Sequence, residues 1–381
     1  MQLTSGLGIY WSSLRHAQIG IDPRIAHCFT NLTKKELRFI EALAHPHSKT
    51  EAALLATELE IRDSRREQII QLLTKLHAFQ PRELQQLQTS RLSEYRANWR
   101  TNGFMPKNRE HVIVQIPHLD WLGTEIALLL AATGVQNLIS ADSDPVGTLS
   151  HPALQRNYYG MRKNRALASY FRAMQPHVQH HRYELQHPSC TLDSLTSTAS
   201  KNAVNTAATN SAVRPSKQPS TLAIVTGKNG IDPLEIDTFL SQGICVLPVI
   251  AQEIDILVGP LCTLSTGPCG MCLERHRSER EPNWPVLAPQ ARAIRDLPLP
   301  LASAQLAASL ALRAALEFID APDFPLQYNS PQPQFEKHHS AQQNQLAAQA
   351  WIVPPNPSFP VLTTIGRHPD CLCALPQDDC K

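Results

Sequence analysis

The sequence carries almost no surplus of charge. Its 35 Lys and Arg stand against 33 Asp and Glu, a net +2 over 381 residues. That balance offers no attraction to nucleic acid or to an anionic membrane surface. Long hydrophobic runs are also missing. The most apolar stretch, IALLLAATGV at 126–135, is far too short to span a bilayer. The first thirty residues lack a basic start, an apolar run and a small-residue cleavage site, so no signal peptide is expected. These absences predict a soluble, cytoplasmic protein without a membrane partner. In that compartment nine cysteines are not expected to pair as structural disulfides, and metal ligation or burial is the default.

The remaining bulk figures, 42% hydrophobic and 18% charged, are those of an ordinary globular chain. The length suits two or three domains. Thirty prolines gather towards the last third, which should be rich in loops.

Residues 1–85 read as a small separate unit. AQIGIDP and RIAHCFTNL are short apolar runs around an Asp22-Pro23-Arg24 turn, the pattern of a hairpin. TKKELRFIEALA opens with a capping box, Thr33 with Glu36, and keeps Leu37, Ile40 and Leu43 at helical spacing. KTEAALLATEL is a second short helix. DSRREQIIQLLTKLHAF is a third, with Ser64 and Glu67 as a further capping box and Ile69, Leu72, Leu73 and Leu76 on its buried face. A hairpin with three short helices is the pattern of a winged helix. Arg65, Arg66 and Lys75 on the third helix stand beside Glu67 and read as a solvated face. Peptide binding or packing is therefore favoured over DNA binding.

Residues 86–110 are polar and read as a linker or helical connector. From 111 to 381 the pattern changes. HVIVQI is a β-branched run typical of a strand buried on both faces. WLGTEIALLLAATG is a helix ending at Gly134, and VQNLISADSD is the next strand. Strand, helix, strand at this spacing makes a β-α-β unit and a mostly parallel, Rossmann-type sheet. NRALASYFRAMQP and PLEIDTFLSQG are further helices. HHRYELQH, TLAIVTG, ICVLPVIAQEIDILVGPL and AAQAWIV supply strands. LASAQLAASLALRAALEFID is a long Ala-rich helix. Residues 189–220, rich in Ser, Thr, Ala and Asn, read as a disordered surface insertion.

In nucleotide-binding α/β folds the first strand ends in a glycine-rich turn, and the next helix N-terminus stabilises phosphate charge. Here that turn is IPHLDWLGTE, with Gly123 alone of the expected glycines. Asp120 would set a carboxylate against a phosphate, and Trp121 would fill the space that the phosphate needs. Gly123 itself could serve only close helix–strand packing. The second strand ends in Asp142 and Asp144, placed to meet a ribose hydroxyl, with Arg156 and Lys163 downstream as phosphate ligands. The plain alternative is that the acids form a turn before Pro145 and that the bases are solvated.

Cys269 and Cys272 form a Cys-x-x-Cys in a Gly-Pro turn, and Cys371 and Cys373 form a second close pair. Two such pairs are the usual source of four thiolates for a closed, structural zinc site. The alternatives are burial or a redox pair. A redox Cys-x-x-Cys normally opens a helix, whereas a strand-to-helix crossover is expected here. His368 could replace one cysteine, but a lone nearby His more often reads as a bystander. Cys28, Cys190, Cys245 and Cys262 have no partner spacing, and Cys380 lies at a frayed end.

The order of DSDPV, LQR, GMRK, a Cys-x-x-Cys after VGPL, a long helix and a second cysteine pair resembles the ThiF/MoeB family of ubiquitin-activating-like adenylyltransferases. The phrase VGPL…GPCGMCLERHRSEREPNWP is most similar to an actinobacterial branch related to the partner proteins of azole-forming cyclodehydratases. In that branch a winged helix precedes the ThiF-like domain. The resemblance implies ATP at the glycine turn, phosphates held by an Arg and a Lys (Arg156 and Lys163), and acids at Asp142 and Asp144. It also implies magnesium on an Asp after a later strand, adenylation of a small carrier protein or peptide, and a homodimer. Thr226-Gly227-Lys228-Asn229 stands where that magnesium Asp would be. With the glycine cradle also missing, the expectation is a degenerate ATP/Mg site. Branch members resemble scaffolds whose winged helix takes a leader peptide by strand addition while a separate YcaO-type enzyme does the ATP chemistry. The leading expectation is accordingly a peptide-presenting module. An active adenylyltransferase is the alternative, and a DNA-binding regulator the weaker one.

Overall fold

The computed structural model describes residues 1–4, 7–13, 16–21, 26–29, 32–81, 94–99, 103–180, 221–264, 266–294, 297–321, 347–355 and 359–374. The Asp22-Pro23-Arg24 turn, most of HHRYELQH, the 189–220 tract, Cys190 and Cys380 lie outside these residues. The chain divides into two compact units, Met1–Pro106 and Lys107–Lys381.

In the first unit β1 (Ile9–Ser13), β2 (His16–Ile19) and β3 (His27–Phe29) form an antiparallel sheet in that order. β2 and β3 are the expected hairpin strands, with Ile19 opposite His27; β1 is an addition. Three helices follow, α1 (Lys34–Ala42), α2 (Lys49–Glu58) and α3 (Asp63–Lys75). The Thr33 hydroxyl accepts the Glu36 N–H at 3.2 Å, and the Glu36 carboxylate accepts the Thr33 N–H at 2.7 Å, so the first capping box is present. A second box exists, but at Ser48 and Glu51 ahead of α2. The one expected at Ser64 and Glu67 does not form. Arg62 is the cap residue of α3, so Ser64 is already the second helical residue and does not stand at the cap position that a capping box needs. Leu3, Ala17, Ile19 and Phe29 pack with Leu37, Phe39, Ile40, Leu43, Ile69 and Leu73 in one core. A short α4 spans 94–99. It buries Tyr95, and the Trp99 indole donates to the Phe79 carbonyl at 2.8 Å.

The second unit opens with α5 (Asn108–His111) and β4 (Ile113–Gln115), followed by α6 (Trp121–Ala132) and β5 (Asn137–Ile139). Next come α7 (Pro152–Tyr158), α8 (Lys163–Met174), β6 (Gln179–His180), β7 (Thr221–Lys228), α9 (Pro233–Ser241), β8 (Cys245–Ala251) and β9 (Ile256–Val258). The unit continues through α10 (Gly270–Arg280), α11 (Trp284–Arg292), α12 (Leu301–Ile319), β10 (Gln349–Val353) and β11 (Val361–Thr364). The eight strands line up as β11-β10-β9-β8-β7-β4-β5-β6. β8, β7, β4, β5 and β6 run parallel, while β9, β10 and β11 extend the sheet antiparallel.

Alternate residues explain why the central strands read as unbroken apolar runs. Leu222 and Ile224 of β7 and Leu247 and Val249 of β8 face one core, with α6 and α12. Ala223, Val225, Val246 and Ile250 face another, with Ile236 and Leu240 of α9. Both faces are covered, as in other parallel sheets. α12 corrects the expectation drawn from the apolar runs. By length and composition it could cross a bilayer, yet Ala304, Ala307, Ala308, Ala311, Ala315 and Ile319 are buried in the core. Alanines there let α12 lie close to α6. Arg109 ties α5 to the end of α12: its Nε donates to Asp320 at 3.0 Å and its Nη1 to the Thr133 carbonyl at 2.9 Å.

Candidate functional site

Strand order places β4 beside β7 at the centre, with later strands added outward on both sides. Such a switch point leaves a crevice beyond the carboxyl ends of the two strands, where open α/β sheets bind ligands. Its walls are the turn 116–120 after β4 and the turn 229–232 after β7.

Gly123 sits in the first turn of α6. A Cβ on it would lie 2.0 Å from the His118 carbonyl oxygen, so close packing of helix against turn requires glycine there. Its N–H is not left open. The Asp120 side chain caps α6 and accepts it at 2.8 Å. Burial pushes the Asp120 carboxyl above the ordinary carboxylate range, against the opposing pull of that N–H and of Thr226. Trp121 turns to the core side, its ring centroid 5.0 Å from that of His151, so the obstruction at the turn comes from Asp120 and not from the indole.

Asp142 is brought to the same turn. Its carboxylate accepts the Leu119 N–H at 2.7 Å, the Asp144 N–H at 3.0 Å and the Lys163 ammonium at 3.1 Å. Asp144 is exposed, 3.9 Å from the same ammonium. Arg156 is exposed on α7, and among the described residues its guanidinium has no ion pair. Across the crevice, His118 Nε2 and the Glu235 carboxylate are 2.8 Å apart, joining the turn after β4 to α9. Glu235's hydrogen bond is the largest cause holding the imidazole above its ordinary pKa. Behind α6, buried Glu125 accepts from His151 Nε2 at 2.7 Å. Asp120's role was legible as a cap three residues before Gly123. The His118–Glu235 contact spans 117 positions and has no local signal.

Elsewhere in this unit the four cysteines converge. Cys269 Sγ is 3.7 Å from Cys272 Sγ and 3.6 Å from Cys371 Sγ, and Cys272 Sγ is 3.2 Å from Cys373 Sγ. All four sulfurs lie within 4.8 Å of one another. Zn–S bonds of about 2.3 Å in a tetrahedron set sulfurs about 3.8 Å apart, whereas a disulfide needs about 2.05 Å. The donor set and spacing thus fit zinc in a closed site. One part of the sequence argument is corrected. Cys269 is the N-cap of α10 and Cys272 lies in its first turn, so this Cys-x-x-Cys does open a helix. What separates it from a redox pair is the second pair beside it. The Cys272 thiol is held well below the ordinary range, first by the Cys269 thiol and also by the His368 N–H at 3.3 Å. Burial pushes Cys245 up to about 11, and Cys262 is fully buried.

The charged stretch after this pair folds inwards. Glu274 accepts the Trp284 indole N–H at 2.9 Å and pairs with Arg292. The Arg277 guanidinium lies 3.7 Å over the Trp284 ring and donates to the Asn229 carbonyl in the turn after β7. The segment is therefore a brace for the crevice wall.

No protein-family model and no curated protein matches the sequence. Solved structures match in fold. E. coli MccB with AMPCPP and MccA is 13% identical, covers 98% of both chains and has a TM-score of 0.59. The microcin C7 biosynthetic enzyme MccB with N-formylated MccA is also 13% identical, covers 98% of this chain and 99% of its own, and has a TM-score of 0.58. PaaA is 14% identical over 95% of this chain and 99% of its own, with a TM-score of 0.56. At these identities the likeness concerns architecture alone, the fold shared by MccB and PaaA.

Proposed function

We propose that the chain binds a peptide and presents it to a separate modifying enzyme, and that its own nucleotide crevice is degenerate. The observation that carries this reading is the occupied turn at 117–123. The N–H groups that would meet a phosphate are already used, Gly123 by Asp120 and Leu119 by Asp142. An incoming triphosphate would have to displace two carboxylates and the His118–Glu235 bridge, against repulsion and without a glycine cradle. Gly123, Asp142, Asp144, Arg156 and Lys163 are then the remnant of a nucleotide site.

A partner chain is supported by the fold's likeness to MccB, which has been solved in complex with N-formylated MccA. In the first unit, a winged helix in this reading, the sheet order leaves β1 and β3 as edges onto which a leader peptide adds as a strand. Azole-type peptide biosynthesis fits this division of labour. A YcaO-type enzyme in trans supplies the ATP chemistry. The protein works as a cytoplasmic homodimer with zinc held structurally by Cys269, Cys272, Cys371 and Cys373. DNA binding loses support because Arg65 and Arg66 of α3 are tied to Glu36 and Asp63.

The second reading, an adenylyltransferase acting on a peptide or carrier C-terminus, is favoured by the likeness to MccB structures holding AMPCPP or ATP. ATP–pyrophosphate exchange separates the two. Purified protein, with or without peptides encoded beside its gene, should give no exchange above blank and no Mg-ATP binding at micromolar levels. Exchange that depends on such a peptide would overturn the scaffold reading.

A further inference from the structure

One polar cluster is used by nothing above. On α10, one turn beyond the Cys-x-x-Cys, His276 and Glu279 are spaced i,i+3 and share a face. The segment after β11 brings His368 to them. Glu279 Oε1 lies 2.8 Å from His368 Nε2, and Glu279 Oε2 lies 3.4 Å from His276 Nδ1. The two imidazole rings stand edge to face at 4.9 Å, and one donor atom from each of the three residues falls within 4.8 Å of the others. An ion with bonds of about 2.0–2.1 Å in a tetrahedron sets its donors about 3.3–3.4 Å apart; the His276–Glu279 contact of 3.4 Å has that spacing, and the 2.8 Å His368–Glu279 hydrogen bond has to open by about half an ångström to admit the ion.

The proton positions favour a cation. His276 Nε2 faces the Gly366 carbonyl at 3.0 Å, and a carbonyl only accepts, so Nε2 carries a proton. In the neutral ring Nδ1 is then a bare lone pair facing the bare Glu279 carboxylate. Two acceptors in contact repel, and either a second proton on the ring or a metal ion between them relieves that repulsion. His368 needs one rearrangement. Without metal its Nδ1 accepts the Asp370 N–H at 3.1 Å and its Nε2 proton goes to Glu279. With metal on Nε2 that proton moves to Nδ1, the Asp370 N–H gives up its bond there, and the exposed Asp370 carboxylate, now 4.0 Å away, has to swing in to accept it. A carboxylate behind a ligating imidazole is the usual support of such a site. His368 is buried, while Glu279 is 58% exposed and gives the ion a way in.

We infer that His276, Glu279 and His368 form a second divalent-cation site of zinc type, distinct from the four cysteines. Its two nitrogens and one carboxylate leave a fourth position for water. It exchanges with solvent ions, unlike the closed sulfur site.

The test is the difference in bound zinc between the full wild-type chain and Glu279→Gln or His276→Ala, at equilibrium with micromolar free zinc. Wild type should hold one more equivalent per chain than either variant. The X-ray absorption difference between wild type and E279Q should show nitrogen or oxygen at about 2.0–2.1 Å and no sulfur. Because the difference is read, the outcome does not depend on whether the cysteine site is filled. Both substitutions lie on α10 at half-exposed or exposed positions, and circular dichroism checks that each variant folds. Equal zinc in wild type and variants overturns the site. So does loss of sulfur-bound zinc in E279Q, which would mean that Glu279 only positions the cysteine loop through His368.

Discussion

At the scale of single residues, the crevice is governed by where two carboxylates point. Asp120 takes the N–H that a phosphate would have taken, and Asp142 takes another while pairing with Lys163. Trp121 packs on the core side, because nothing in a linear sequence says on which side of a turn an indole will pack. The His118–Glu235 bridge makes a prediction about pH. The imidazole is raised above its ordinary value of 6.5 chiefly by Glu235's hydrogen bond. A raised folded-state value means that the pair stabilises fully below the unfolded pKa and fades as pH rises through the folded one. Glu235→Gln should therefore lower the denaturation midpoint at about pH 5.5 and have little effect at about pH 8.5. An equal loss at both values would show that the bridge does not depend on a charged imidazole.

At the scale of elements, most of the chain was legible because the helices and strands obey strong local rules. The Thr33–Glu36 box marked α1, and two-faced apolar runs marked β7 and β8. Ser64–Glu67 misled because the same four-residue pattern fits equally well inside a first turn, and only the backbone at Arg62 decides where the helix begins. β11 was missed because its residues are mostly exposed and carry no alternation. The α5–α12 contact was also invisible, since Arg109 and Asp320 are 211 positions apart. Their side chains are only 2% and 11% exposed. Removing the Asp320 carboxylate takes the counter-charge from a buried guanidinium, so Asp320→Ala should cost about 3–5 kcal/mol in chemical denaturation. A loss under about 1 kcal/mol would mean that water reaches the guanidinium.

At the scale of the whole molecule, the four cysteines are a long-range feature that the sequence exposed, because two close-spaced thiol pairs are the usual source of a four-sulfur site. The four sulfurs bring α10 and the segment after β11 together. A strong thiol-competing chelator should release about one zinc and lower the melting temperature of the second unit, since a metal bound only by the folded state stabilises it. An unchanged melting curve after complete zinc loss would show that the site adds nothing to the fold.

The cysteine clamp also has a bearing on timing. Cys371 follows Cys269 by 102 positions, and α11, α12, β10 and β11 all lie between them. A chain emerging from the ribosome at about 5–20 residues per second exposes its first thiol pair several seconds before the second is made. During that interval the pair is a half-finished ligand set, open to stray metal and oxidant. The four-thiol set can therefore be completed only after the antiparallel edge of the sheet has been made.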